Sequence, residues 1–300
     1  MSARPKILLT RRWTAEVEKH LAQQFDVTLN ESDVPMDAAR LRAAMSQFDA
    51  LCPTVTDRID RNVLSAPDRR VRLIGNFGVG FNHIDVEAAR EFGISVSNTP
   101  DVLTDTTADL AILLMLMVTR RAGEGERELR GGKWTGWRPT HMMGQSLSGK
   151  TLGLIGFGRI AQSTARKARL GLDMRIVYNS RRRAPQAVEA EHQATFIDSV
   201  DELVATSDVI SLHCPGGAAT HHLISAERLR RMKPSAVLVN TARGPVVDEA
   251  ALVQALTERR ITGAGLDVYE EEPKVHPGLV SLDNVVLLPH LGSATQETRT

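Results

Sequence analysis

Cysteine is nearly absent from this 300-residue chain, which carries only Cys52 and Cys214. Two thiols so far apart in sequence make neither a disulfide framework nor a cysteine-based metal site, so the expectation is a cytoplasmic protein with reduced thiols and no metal. Net charge is equally scarce. The 37 basic and 36 acidic residues leave +1, so no global field draws the chain toward nucleic acid or anionic lipid, and any need for positive charge must be met locally. Long apolar runs are missing as well. The longest, "LAILLMLMV" from Leu110 to Val118, is about half of what a bilayer-spanning helix requires and reads as a buried helix. The start "MSARPKILLTRRW" reaches a second basic pair after a short apolar run and lacks the core of a signal peptide. No internal repeat or low-complexity segment stands out.

What is present is an alternation of strand-like runs with helical patterns, in a chain long enough for two domains. Its hydrophobic fraction of 42% and charged fraction of 24% suit a soluble globular protein. Such alternation predicts an α/β fold with parallel sheets covered by helices. The first third has strand candidates at "KILLT", "DVTL", "ALCPT", "RLIGNF" and "ISVSN", a five-strand, flavodoxin-like set that defines a domain over 1–98. Pro100 biases its predecessor toward an extended conformation, which makes Asn98 to Pro100 a hinge candidate. The Gly- and Trp-rich "RGGKWTGWRPTHMMGQSLSGK" is a poor helix and a poor strand. From Thr151 a second series follows, "TLGLIG", "RIVYN", "TFI", "VISLH", "AVLVN", "AGLDV" and "VVLLP". It places the larger domain over 99–290.

"LGLIGFGRIAQSTARKA" puts Gly156, Gly158 and Ala161 in the pattern G-x-G-x-x-A, after a strand and at the opening of a helix. The first glycine permits the tight turn, the second a close backbone approach to a pyrophosphate, and the small third residue close packing of helix on strand. The helix N-terminus adds unpaired N–H groups and a positive dipole end. This is a Rossmann dinucleotide site. In such a site that holds NAD, the second strand usually ends on Asp or Glu, which binds the adenosine ribose. Here "IVYNSRRR" puts Asn179 at that position, followed by Ser180, Arg181 and Arg182. A carboxylate would repel a 2'-phosphate, whereas an amide, a hydroxyl and two guanidiniums would bind it, which favours NADP(H).

Ligands of open parallel sheets sit beyond the carboxyl ends of the strands. Three candidates lie there: Arg243 after "AVLVNTA", Glu272 just beyond "AGLDV", and His290 directly after "VVLLP". Singly each has an ordinary explanation, as a surface charge, a member of the exposed run "EEEP" or a structural histidine. Together they supply what reduction of a 2-oxo acid demands: a fixed cation, a proton donor, and a carboxylate to keep that donor protonated.

In this order and spacing, "GFGRIA", "LHCPGGAATHHLI", "NTARGPVVDE", "GLDVYEEEP" and "LPHLGSAT" resemble the D-isomer-specific 2-hydroxyacid dehydrogenases, in particular their glyoxylate/hydroxypyruvate reductase branch, over nearly the whole chain. The resemblance implies that Arg243, Glu272 and His290 are the catalytic arginine, glutamate and acid/base histidine. It implies cofactor contacts at Thr107, Arg159, Ile160, Cys214, Pro215, Thr241 and Gly292, with Asp267 on the nicotinamide carboxamide. It matches "NFGVGFNHID" to a loop whose Val79 and Gly80 N–H groups bind the substrate carboxylate. Trp137, beside Trp134, is a further substrate-pocket candidate through a homodimer interface, with interface packing alone as the other reading. Closure about hinges near Asn98 and Leu288 is expected. Members of the family continue past the position of "ATQETRT" into a helix that returns to the N-terminal domain, so 291–300 is expected to begin that segment.

The implied partners are a small 2-oxo or 2-hydroxy acid and a second copy of the chain, with no nucleic acid and no membrane. Formate dehydrogenases of the family have glutamine where this chain has Glu272, and phosphoglycerate dehydrogenases usually carry extra regulatory domains. Larger 2-oxo acids such as hydroxyphenylpyruvate or 2-ketogluconate stay open as substrates. A dinucleotide-sensing binding protein of the corepressor type is the rival of another class.

Overall fold

The computed structural model describes residues 4–300. Its contacts divide the described residues into two compact units, residues 4–103 with 294–300, and residues 104–293.

In the first unit the strands are β1 (Lys6–Leu9), β2 (Asp26–Leu29), β3 (Ala50–Cys52), β4 (Leu73–Gly75) and β5 (Ser95–Ser97). They form one parallel sheet in the order β2-β1-β3-β4-β5, with Ile7 paired to Val27 on one side and Ala50 on the other. This is the flavodoxin-like order, and parallel strands of this kind need helical crossovers. Short acidic caps start several of them: the Asp37 side chain accepts from Arg40 N ahead of the helix Ala38–Gln47, and Asp85 accepts from Ala88 N ahead of Val86–Glu91. Leu41, Met45, Leu51, Ile59, Leu64 and Ile74 form the core of one face. Ile7, Leu9 and Ala50, joined by Trp13 and Phe25, form a smaller cluster.

The second unit contains β6 (Thr151–Ile155), β7 (Arg175–Asn179), β8 (Ala194–Phe196), β9 (Val209–Leu212), β10 (Val237–Asn240), β11 (Gly263–Leu266) and β12 (Val285–Leu287). All pairings are parallel, in the order β12-β11-β10-β9-β6-β7-β8. This is the doubly wound Rossmann order with an added edge strand, and its switch point lies between β6 and β9. Every residue of β9, β10 and β11 is buried, as expected of strands covered on both faces. The apolar run anticipated as a buried helix is one: Thr104–Thr119 packs on β10, β11 and the helix Arg159–Leu172, with Leu114 and Met115 fully buried. No helix among the described residues is long and apolar enough to cross a membrane.

The unit boundaries fall a few residues beyond the expected 98/99 and 290/291. Asn98 is tied into the first unit by its amide, which donates to the Val79 carbonyl at 2.9 Å, and Thr99 N donates to Gly78 O. At the other crossing, Leu288 is held on both sides, its N–H on Leu266 O and its carbonyl by the Tyr269 hydroxyl at 2.8 Å. The chain changes unit after Leu103 and again after Ser293. Residues 294–300 include a short helix, Gln296–Arg299, whose last carbonyl accepts from Thr14 Oγ1 at 3.5 Å.

Where β10 ends, the chain passes directly against the segment leaving β11. A Cβ on Gly244 would overlap the Tyr269 carbonyl and approach the Glu270 nitrogen. Backbone cannot yield as a side-chain tip can, so this position requires glycine. Gly244→Ala is expected to destabilise the fold by roughly 3 kcal/mol, at the upper end of ordinary overpacking. Urea denaturation followed by circular dichroism checks this; an unchanged midpoint would show that the two segments are not packed as described.

Candidate active site

The turn after β6 is shaped for an anion. Gly156 has φ of +91°, and a Cβ there would lie 2.7 Å from the His213 carbonyl carbon and oxygen, so the β6 and β9 exits touch through it. Gly158, by contrast, faces open space, and Ala161 is buried under the helix. Gly158 caps the helix Arg159–Leu172 without any side-chain hydrogen bond to its first turn. A helix N-terminus of this kind, at Arg159 and Ile160, is a ready position for an anion. Beyond β10, Thr241 Oγ1 is buried with no hydrogen-bond partner among the described residues. A buried hydroxyl left in this state is costly unless a ligand satisfies it, so the residues present fit a bound dinucleotide. After β9, burial holds the His213 imidazole down to about 4, hence neutral, and pushes the Cys214 thiol up to about 11, hence an inert thiol. Pro215 turns its carbonyl to Thr220 Oγ1 at 2.7 Å.

The arginine run after β7 is not uniform. Arg183 pairs with Glu189 through two contacts, at 2.8 and 2.9 Å, and the Tyr178 hydroxyl donates to the same carboxylate while accepting from Ala184 N. The Arg183 and Tyr178 hydrogen bonds together hold the Glu189 carboxyl down to about 2. Arg183 is therefore a brace for the loop. Arg181 and Arg182 are exposed and have no ion-pair partner among the described residues. The expected amide and hydroxyl donors are already committed: Asn179 Nδ2 donates to Ile197 O and Asp198 O, and Ser180 Oγ donates to Arg182 O at 2.6 Å. Of the four residues read as phosphate donors, the two guanidiniums are the ones left to act.

At the carboxyl ends of β11 and β12 the geometry is tighter. His290 Nδ1 and Glu272 Oε2 are 2.8 Å apart, and Glu272 Oε1 accepts from Tyr269 N at 3.1 Å. With Nδ1–H donated to the carboxylate, Nε2 is the ring nitrogen able to present a proton to another molecule. Burial works against the charge on Glu272, but the hydrogen bond and charge of His290, the Tyr269 N–H and the charge of Arg243 outweigh it, so its carboxyl sits below the usual range. Arg243 is half-buried, with one guanidinium nitrogen on the Ala242 carbonyl at 2.7 Å. Burial lowers its pKa and the Glu272 charge opposes that change, which links the three sequence-predicted residues into one electrostatic group.

Asp267 and Thr107 hold this group in place. Asp267, 1% exposed, accepts Leu291 N at 2.6 Å and Gly292 N at 2.8 Å on its two oxygens, and its carbonyl accepts His290 N. Thr107 Oγ1 donates to Gly292 O at 2.9 Å. Both residues, expected to face cofactor, thus also fasten the turn in which His290 adopts a φ of +56°. Tyr269 was missed in the sequence, because its N–H to Glu272 and its hydroxyl to Leu288 follow from a chain reversal that no motif announces.

In the first unit, the loop after β4 is ordered by groups the sequence did not single out. Buried Asn76 donates through Nδ2 to the carbonyls of Gly78 and Gly80, both at 3.0 Å, while its oxygen meets His83 Nε2 at 2.9 Å. With the Val79 carbonyl taken by Asn98, the Val79 and Gly80 N–H groups make no hydrogen bond among the described residues. They are free to receive an anionic oxygen. Trp137 behaves differently: it is 81% exposed, so its own chain does not enclose it in a pocket.

The family model for the D-isomer specific 2-hydroxyacid dehydrogenase, NAD binding domain, matches residues 112–292. Glyoxylate reductase of Thermococcus onnurineus is 45% identical over 300 residues, covering 99% of this chain and 89% of that protein. Among solved structures, a glyoxylate reductase from Paecilomyes thermophila superposes with a TM-score of 0.85 at 35% identity, covering 100% of this chain and 92% of the other. An NADPH-dependent glyoxylate/hydroxypyruvate reductase from Sinorhizobium meliloti, in complex with NADP and malonate, gives 0.86 at 36% identity, covering 99% and 89%. With these similarities over nearly its full length, and with the strand order and the glycine turn described above, the chain belongs to the D-isomer-specific 2-hydroxyacid dehydrogenase family.

Proposed function

We propose that this protein reduces a small 2-oxo acid of the glyoxylate or hydroxypyruvate type to the D-2-hydroxy acid, with NADPH as the reductant. The observation that carries the reading is the His290–Glu272 hydrogen bond in the electrostatic reach of Arg243. When bound, the nicotinamide cofactor would supply the hydride; the turn after β6 and the start of the helix Arg159–Leu172 would hold its pyrophosphate, and Asp267 its carboxamide. His290 Nε2 gives its proton to the oxygen on which negative charge develops. Arg243 binds that oxygen and the acid's carboxylate, so its charge stabilises the transition state more than the ground state. The Val79 and Gly80 N–H groups are further proposed donors to the acid's carboxylate. Arg181 and Arg182 take the 2'-phosphate, and their lack of acidic partners supports this choice, as does the NADP complex of the Sinorhizobium relative. A homodimer is part of the proposal, because Leu129, Trp134, Trp137 and Met143 expose large apolar side chains in one short segment.

Initial rates with NADPH and NADH, each with glyoxylate, hydroxypyruvate and a bulkier 2-oxo acid, test the whole reading. NADPH with the small acids is expected to be preferred. A preference for NADH would reduce Arg181 and Arg182 to a solvated loop, and tight cofactor binding without turnover would remove the reductase assignment. The double variant Arg181→Ala/Arg182→Ala should raise KM for NADPH by about a hundredfold or more while leaving NADH nearly unaffected, since two charged hydrogen bonds of roughly 1.5–3 kcal/mol each are lost. Arg243→Ala should lower kcat/KM by about 10²–10³, the usual effect of removing one such charge-stabilising group; a full-rate variant rules out its role. Reduction consumes the imidazolium proton, so its rate should fall as pH rises. Glu272→Gln, which removes the carboxylate that accepts from His290 Nδ1, is expected to lower kcat/KM by about tenfold or more, and an unchanged rate would show that Glu272 does not support His290 in the reaction.

A further inference from the structure

Apart from the proposed reductase site, a second cluster of ligating side chains lies between the loop after β9 and the segment after β11. His222 Nε2 is hydrogen-bonded to Glu270 Oε1, and the imidazoles of His221 and His222 stack with centroids 3.9 Å apart. One ligand atom each from His221, His222 and Glu270 can be chosen so that all lie within 4.8 Å of one another. Negative charge collects here. Glu249 Oε1 accepts Glu270 N at 2.6 Å, Glu270 Oε2 accepts Glu249 N at 3.3 Å, and Asp248 Oδ2 stands 3.9 Å from His222 Nδ1. Among the described residues no lysine or arginine forms an ion pair with Asp248, Glu249 or Glu270.

We propose that His221, His222 and Glu270 form a binding site for a divalent transition metal ion of the zinc class. Two imidazoles and one carboxylate are a borderline-soft donor set that suits Zn²⁺ and Co²⁺ and is poorly matched to Mg²⁺ or Ca²⁺, which take oxygen ligands. Metal–ligand bonds of about 2.0–2.2 Å put the donors of a tetrahedral ion roughly 3.3 Å apart. His221 is exposed, so its side chain can rotate to close the remaining gap, and the His222–Glu270 hydrogen bond opens to admit the ion. Asp248, facing the other nitrogen of His222, occupies the place of the outer carboxylate that commonly orients a metal-bound imidazole. Water completes the fourth position. Occupancy would join the loop after β9 to a residue close to Glu272 in the chain, and so restrain the Glu272–His290 pair.

The test uses the full chain after chelator treatment, titrated with Zn²⁺ by calorimetry and with Co²⁺ by visible absorption. One equivalent is expected, with the Co²⁺ spectrum of a tetrahedral nitrogen and oxygen site. His221→Ala, a change at an exposed side chain, should weaken Zn²⁺ binding by at least about tenfold with unchanged circular dichroism, whereas His290→Gln should retain it. Absence of Zn²⁺ binding at 100-fold excess over protein, undiminished affinity in His221→Ala, or loss in His290→Gln in its place would each overturn the proposal. These readouts do not depend on which 2-oxo acid or cofactor the protein uses.

Discussion

The candidate site depends on one buried carboxylate. Asp267 stands at the end of β11 with 1% exposure, where burial raises its pKa and the N–H groups of Leu291 and Gly292, with the charge of His290, work in the other direction. A charge so placed is costly unless it is hydrogen-bonded, and the two N–H groups supply the compensation. Those same bonds fix the chain immediately after His290, a residue in the left-handed region, which a side chain adopts only when its surroundings require it. The imidazole is then held toward Glu272, and Glu272 in turn by the Tyr269 N–H.

Around that anchor the parallel sheet does the rest. Strands that all run the same way deliver their carboxyl ends to one edge, so Arg243 after β10, Glu272 after β11 and His290 after β12 arrive side by side although nearly fifty residues separate the first from the last. Gly244 sets how closely the first of these exits approaches the second, because any side chain there would collide with the Tyr269 carbonyl. In the middle of the same sheet, Gly156 performs the corresponding task between β6 and β9. Close backbone approach at these positions is thus a condition for the site as much as for the fold.

The alternation of apolar runs with helical periods was legible along the chain: each strand-like run, from "KILLT" to "VVLLP", overlaps one of β1 to β12, and the catalytic candidates lie where parallel strands must end. The arginine run was legible only in part. Its composition announced a positive patch, but the assignment of Arg183 to Glu189, and of the Asn179 amide to the carbonyls of Ile197 and Asp198, requires the neighbouring strand and helix to be in place. Residues such as Asn76 and Tyr269 were not legible at all, since they act on backbone groups distant or reversed in the chain, and a hydrogen bond to a carbonyl leaves no compositional signature.

By itself, the sequence determined the fold class and the glycine turn and nominated Arg243, Glu272 and His290 as candidates, because hydrophobic period, glycine spacing and the ends of parallel strands are local properties of a chain. The tertiary structure alone decided which donors remain available, which are committed to bracing, and where one unit passes into the other. Those outcomes are settled by competition for hydrogen-bond partners and by close packing between segments that meet only after folding. That is why Ser180 and Arg181, neighbours of similar promise in the chain, end with opposite employment: one hydroxyl closed on its own loop, one guanidinium open to a ligand.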